Sequence, residues 1–177
     1  INGKSDNFLP GRDIEEIEKN FSDWERSHGG YTSMRFSSLK KINRENIGKL
    51  KVAWIYNSKD GKKGIQANPV VKNGLIYFPT PGNHIVCLDA SNGKEIWKYK
   101  VKGTQPAKRG LLLWEDKKNN ILKLFFTNFD ELIALDAKNG KLIKNFGDNG
   151  KIKIGSSPIP PTVIDNQLVL GTTRPAI

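Results

Sequence analysis

"CLDASNGKEIWKY", Cys87 to Tyr99, and "ALDAKNGKLIKNF", Ala134 to Phe146, are two copies of one pattern. Both contain Leu-Asp-Ala-x-Asn-Gly-Lys, with an offset of 47 residues between Asp89 and Asp136. A period of about 40–50 residues belongs to propeller blades. Asn92-Gly93 and Asn139-Gly140 read as type I′ hairpin turns, whose two central residues both take positive φ. Short apolar runs flank each turn, and "NPVV", "KNG" and "LIYF" add two strands around Asn73-Gly74.

One unit therefore has four strands: about Gln66–Val71, Leu75–Phe78, Ile85–Asp89 and Glu95–Val101. The next has about Gly110–Trp114, Leu122–Thr127, Leu132–Asp136 and Leu142–Phe146. A third unit starts with "PPTVIDNQLVLGT", Pro160 to Thr172. Four-stranded antiparallel units in series make an all-β propeller, each sheet buried on both faces by its neighbours. "GKLKVAWIY", Gly48 to Tyr56, resembles the fourth strand of a unit, with Trp54 where Trp97 stands. It is expected to be the outer strand of a closing blade whose other strands follow Ile177. The expected organisation is a leader over 1–47 and a partial propeller over 48–177. The propeller part comprises the orphan strand 48–56, blades at about 64–103 and 105–148, and a third blade begun at 157–177. On this reading the chain is an N-terminal fragment. Within the leader, "RDIEEIEKNFSDW" places Ile14, Ile17, Phe21 and Trp24 at helical spacing behind an Asp13–Glu16 capping pair, which predicts a short helix.

The chain has 177 residues, 37% hydrophobic and 27% charged, which suits a globular domain. Its net charge of +11 is spread over turns and strand ends rather than gathered on one helix, so nucleic-acid binding is not expected. The single cysteine, Cys87, excludes an intrachain disulfide and leaves the compartment open. In its apolar strand it reads as a buried, inert thiol. His28 and His84 have no partner at metal-ligand spacing and read as structural. Ser156 and Ser157 lack the spacing of a nucleophile elbow.

In a propeller the first strand of each blade lines the central axis, so residues entering those strands converge. Gln66, Arg109 and Ser157 occupy such positions, separated by 43 and 48 residues. An arginine there offers a planar fork for carboxylate or phosphate. The plainer alternative is that Arg109 satisfies strand-end carbonyls or pairs with an acid.

"WERSHGGYTSMRFSSLKKINRENIGKLKVAWIY", Trp24 to Tyr56, resembles the N-terminal signature of dehydrogenases that depend on pyrroloquinoline quinone (PQQ). The Leu-Asp-Ala repeats resemble their blade motif, and "RGLLLW" resembles their Arg-Gly-x-x-x-Trp strand. The resemblance implies an eight-bladed propeller with PQQ on the axis beside a calcium ion, oxidising a sugar or alcohol by hydride transfer to the quinone. It implies that Arg109, Gln66 and Gln105 hold the cofactor, with Ser157 and Thr172 near it. Gln105 stands where glucose-dehydrogenase-like members carry a histidine, and the vicinal cysteines of alcohol-oxidising members are absent from "GTQPAKRG". The sugar branch therefore looks nearer. Lys144 replaces the docking Trp in the second repeat. Calcium ligands and the catalytic base are expected beyond Ile177. The resemblance further implies a periplasmic location, attached to the inner membrane through parts outside this chain. The electron acceptor would be a membrane quinone or cytochrome c. The competing reading is a non-catalytic scaffold like the outer-membrane assembly lipoproteins, which share the blade repeat but have no need of the leader or of an axial Arg109.

Overall fold

The computed structural model describes residues 22–30, 33–61, 64–102, 109–164 and 166–173. Two four-stranded antiparallel sheets stand in series. The first runs β1 (Val70–Lys72), β2 (Leu75–Pro79), β3 (His84–Asp89) and β4 (Glu95–Lys100) in spatial order. The second runs β5 (Leu112–Asp116), β6 (Ile121–Asn128), β7 (Glu131–Asp136) and β8 (Lys151–Lys153). A hairpin of β9 (Thr162–Ile164) and β10 (Gln167–Val169) begins a third unit.

The central strands carry unbroken apolar runs because both of their faces are covered. Ile85, Val86, Cys87 and Leu88 of β3 are all buried, as are Leu132, Ile133, Ala134 and Leu135 of β7. Alternate residues then divide between two cores. Val70, Tyr77, Ile85 and Cys87 of the first blade pack with Leu111, Leu113, Leu124 and Phe126 of the second. On the opposite face of the second blade, Leu112, Phe125, Leu132 and Ala134 pack with Val163 and Leu168 of the third. Each such Leu or Phe contributes roughly 1.5–3 kcal/mol on full burial, so the contact between blades is the main source of cohesion.

The repeated motif is a device for locking one blade to the next. Gly93 N–H donates to Asp89 O and Gly140 N–H to Asp136 O, both at 2.8 Å. Only the glycine of each pair has positive φ, at 72° and 69°. The turns are thus four-residue loops capped by the Asp carboxylate, not the two-residue type I′ turns the sequence suggests. Asp89 accepts from Ser91 and Asn92, and Asp136 from Lys138 N–H and Asn139. Asn73-Gly74, with φ of 52° and 75°, does have the type I′ signs. The Ala carbonyl of each motif accepts an indole N–H from the preceding outer strand: Trp54 to Ala90 and Trp97 to Ala137, each at 3.0 Å. A Cβ on Gly93 would lie 2.5 Å from the Trp54 ring, and one on Gly140 would lie 2.7 Å from the Trp97 ring. The motif glycine is required twice, once by the turn and once by the ring resting on it.

Leu50–Tyr56 therefore docks as an outer strand does, although it pairs with no strand among the described residues. Further along, Asp60 accepts from Thr80 Oγ1 at 2.6 Å and Gly82 N–H at 3.2 Å, with Lys98 Nζ at 3.5 Å. Burial would raise the Asp60 carboxyl, but hydrogen bonds from Thr80, Ser58 and Gly82, and the Lys98 charge, outweigh it and hold the pKa below the usual carboxylate range. Tyr56 donates to Glu95 and meets Phe78 edge-on, ring centroids 5.9 Å apart.

The outer strand of the second blade differs from the expected Leu142–Phe146. Leu142 makes a single bridge to Leu135, and the chain then leaves the sheet and returns as β8 against Glu131–Ile133. Ala134 serves both sides of the excursion: its carbonyl accepts from Ile143 N–H and its N–H donates to Gly150 O, each at 3.0 Å. Gly147, Asn149 and Gly150, all at positive φ, turn the chain back. Lys144 falls in this excursion and is exposed, which is why it makes no inter-blade dock. The predicted leader helix lies outside the described residues except at its end. There Trp24 is not helical but pairs antiparallel with Val71.

Candidate cofactor site

Residues Trp24–Gly29 run across the first strands of all three units. Trp24 and Val71 exchange both backbone hydrogen bonds at 2.7 Å. Glu25 O accepts from Leu113 N–H of β5 at 2.9 Å. Arg26 Nη1 donates to Thr162 Oγ1 of β9 at 3.2 Å. Arg26 and Gly29 then close a tight turn with reciprocal bonds of 3.1 and 3.0 Å, placing Ser27 and His28 at its tip. Charge is balanced along this seam. Lys72 bonds Glu25 and lies 3.8 Å from Glu115. Burial would lower the Lys72 ammonium, but the Glu25 hydrogen bond and the charges of Glu25, Glu115 and Asp23 win, so its pKa is raised.

The tip of the turn meets the strand entrances. Asn68 Nδ2, just before β1, donates to Ser27 O at 3.0 Å. Ser27 Oγ donates to Arg109 O at 3.1 Å. Gly110, at φ 132°, lies so close that a Cβ there would stand 2.3 Å from Ser27 Oγ and 3.7 Å from Pro160. The entrances of three inner strands thus meet at one turn, through Asn68, Arg109 and Pro160.

Of the five sequence-predicted residues, Gln66, Arg109 and Thr172 are exposed near these entrances. Ser157 is buried. Its N–H donates to Phe129 O at 3.0 Å and its hydroxyl to Ile159 O at 3.3 Å, so its polar groups serve the local chain path. Thr173 beside Thr172 donates to Ser156 O through both N–H and Oγ1, at 2.8 and 3.0 Å, which joins the last two candidate segments. Gln105 lies outside the described residues. Ser27, Asn68 and Arg26 were not singled out from sequence. They are ordinary polar residues whose partners stand 82, 41 and 136 positions away, and no local spacing marks them.

Among the described residues the Arg109 guanidinium has no hydrogen-bond or ion-pair partner, while its backbone is tied down. The acids of the same blade are engaged elsewhere: Asp116 with Lys123, Asp130 with Lys153 and Glu131 with Lys151. Arg109, Gln66 and Thr172 are exposed hydrogen-bond donors, and among the described residues Arg109 forms no ion pair with a carboxylate. That set suits a ligand bearing several carboxylate and carbonyl oxygens. Among the described residues no group of His, Cys, Asp and Glu could hold a metal ion.

A family model described as "PQQ: Glucose/ethanol/alcohol dehydrogenase, beta-propeller domain" matches residues 24–177. The chain belongs to this PQQ-dependent dehydrogenase family. The quinoprotein propeller is 39% identical over 131 residues to the dehydrogenase subunit of alcohol dehydrogenase (quinone) from Gluconobacter oxydans, covering 68% of the chain and 16% of that protein. It is 34% identical over 169 residues to quinohemoprotein alcohol dehydrogenase ADH IIB of Pseudomonas putida, covering 89% and 23%. The solved structure of quinohemoprotein alcohol dehydrogenase ADHIIG from Pseudomonas putida superposes with a TM-score of 0.70 at 25% identity, covering 92% of this chain and 24% of that one. The chain thus spans 16–23% of the length of these two curated relatives. Its antiparallel four-stranded sheets are blades of the same kind of propeller.

Proposed function

We propose that this chain is part of a periplasmic PQQ-dependent dehydrogenase that oxidises alcohols, in which Arg109 grips a carboxylate of the cofactor. The observation that carries the reading is the Arg109 guanidinium, without a hydrogen-bond or ion-pair partner among the described residues, at the convergence of three inner strands. PQQ, when bound, supplies the two-electron redox chemistry as hydride acceptor. The residues of this chain bind and orient it. Arg109 offers a two-pronged fork to a carboxylate, Gln66 an amide, and Thr172 a hydroxyl. The segment Trp24–Gly29 braces the inner strands of the three units. Calcium, with ligands from other parts of the protein, and a quinone or cytochrome c as electron acceptor complete the proposal. Alcohol is preferred to sugar because the relatives reported above are named as alcohol dehydrogenases. A scaffold propeller would have no use for an arginine held by its backbone and left open at its fork.

The test is dye reduction by the intact protein reconstituted with PQQ and calcium, with ethanol, 1-butanol and glucose as substrates. Turnover of the alcohols with little of glucose is expected. Preference for glucose would overturn the alcohol assignment, and absence of PQQ binding would overturn the whole reading. Arg109→Ala should weaken PQQ binding by roughly 2–5 kcal/mol if the bound cofactor buries the charge pair.

A further inference from the structure

We infer that Ser27 is a positioning residue for Arg109, setting the direction in which its side chain enters the cofactor site. The inference rests on Arg109 being a cofactor-binding residue. Arg109 is exposed and its fork touches no protein group among the described residues, so its aim is set by its backbone. Two features of that backbone are unusual. Its carbonyl accepts the Ser27 hydroxyl at 3.1 Å, outside the sheet ladder. The next residue, Gly110, has φ 132°, a conformation side chains rarely allow, and its α-carbon faces Ser27 Oγ with no room for a methyl group. Rotation of the 109–110 peptide would break the first contact and swing the arginine Cα–Cβ bond.

Ser27 is itself fixed from both sides. Asn68 holds its carbonyl at 3.0 Å from the first blade. Arg26, its neighbour, reaches Thr162 of the third blade at 3.2 Å, and Glu25 O is bonded to Leu113 of the second. The direction of Arg109 is therefore referenced to three blades at once, not to its own strand alone. A fork that must meet a planar carboxylate on two prongs is sensitive to displacements of about 0.5 Å and rotations of about 10–20°. The structure thus assigns the leader turn a part in cofactor affinity through a residue that touches no cofactor atom.

The experiment is a double-mutant cycle in the intact protein, with PQQ titrated into the apo form and followed by fluorescence quenching. The thermal midpoint of each apo variant is measured alongside. Ser27→Ala should weaken PQQ binding about tenfold, with the apo midpoint within about 1 °C of wild type. Asn68→Ala, which keeps the hydroxyl but frees the Ser27 carbonyl, should act in the same direction by a smaller factor. It also serves if Ser27→Ala fails to fold. In an Arg109→Ala background, adding Ser27→Ala should change affinity less than twofold. Wild-type affinity in both Ser27→Ala and Asn68→Ala would overturn the inference while leaving the role of Arg109 intact. An equal loss with and without Arg109 would do the same. Wild-type affinity in Arg109→Ala would remove the cofactor role of Arg109 and this inference with it.

Discussion

Replacing Trp97 by Phe separates one hydrogen bond from the packing around it. The indole N–H donates to Ala137 O at 3.0 Å across the boundary between the first two blades. Phe keeps most of the ring that rests on Gly140 and lies 5.9 Å from Tyr77, centroid to centroid. What is lost is a bond with a net contribution of about 1 kcal/mol, plus about 1–3 kcal/mol if the Ala137 carbonyl is left dry. Ala137 is fully buried, but Trp97 itself is only partly so, which admits some water. The expected cost is therefore about 1.5–2.5 kcal/mol. Trp97→Ala also empties the ring's place and should cost about 3 kcal/mol, the low end for a large aromatic because the ring is not fully enclosed. Urea unfolding of the apo protein followed by circular dichroism reads both, with an unchanged slope showing that only stability moved. Trp54→Phe, which removes the equivalent bond to Ala90 O, should cost a similar amount. A Trp97→Phe loss below about 0.5 kcal/mol, the size of an inert surface change, would refute the claim that the indole–carbonyl bond fastens blades.

The other side of the same dock predicts that Gly140→Ala costs about 1–3 kcal/mol, since φ is 69° and the new Cβ would stand 2.7 Å from the Trp97 ring. A neutral thermal midpoint would contradict it. Asp116 is held down to a pKa of about 2, first by the hydrogen bond from Lys123 at 2.8 Å and then by Asn119. Its folded pKa lies below its unfolded value, so its stabilisation is complete above about pH 4 and is lost as pH falls toward 2. Asp116→Asn should flatten that part of the acid-stability curve, and an unaltered curve would contradict the assignment. Cys87 is fully buried, and burial pushes its thiol up to about 11. A thiol reagent at pH 8 should label it only as fast as the protein unfolds, and rapid labelling of the folded protein would contradict this.

The blades were legible because the repeat writes the same physical problem twice. Leu-Asp-Ala-x-Asn-Gly-Lys specifies a turn, a buried small residue and a glycine under an aromatic ring, and all three recur in Asp89–Lys94 and Asp136–Lys141. The identity of Trp54 as a docking residue could likewise be read by analogy with Trp97. Two details were not legible. The turn type went astray because Asn-Gly is permissive: the Asp carboxylate three residues before the Asn draws the loop into a wider form, and only Gly takes positive φ. The excursion between Leu142 and Lys151 was hidden because "KLIKNF" has the apolar pattern of a strand. It leaves the sheet only because Ala134 can be satisfied by Ile143 and Gly150 together.

The candidate site shows where periodicity stops being informative. It places Gln66 and Arg109 at the same end of adjacent strands, because a repeat fixes equivalent positions in equivalent units. It cannot reveal the leader, which belongs to no unit. Residues 24–29 reach Val71, Leu113 and Thr162, positions that no common offset relates to the leader. Yet that segment supplies the hydroxyl against which Arg109 and Gly110 are set. An arginine displayed by a repeat alone would aim where its strand twist sent it, and the aim would drift with each small change in blade packing. On the inference drawn above, bracing its carbonyl from a segment bonded to three blades limits that freedom. The division of labour follows from the physics: repeated residues build a cohesive wall, and a non-repeated segment ties the entrances of its inner strands together.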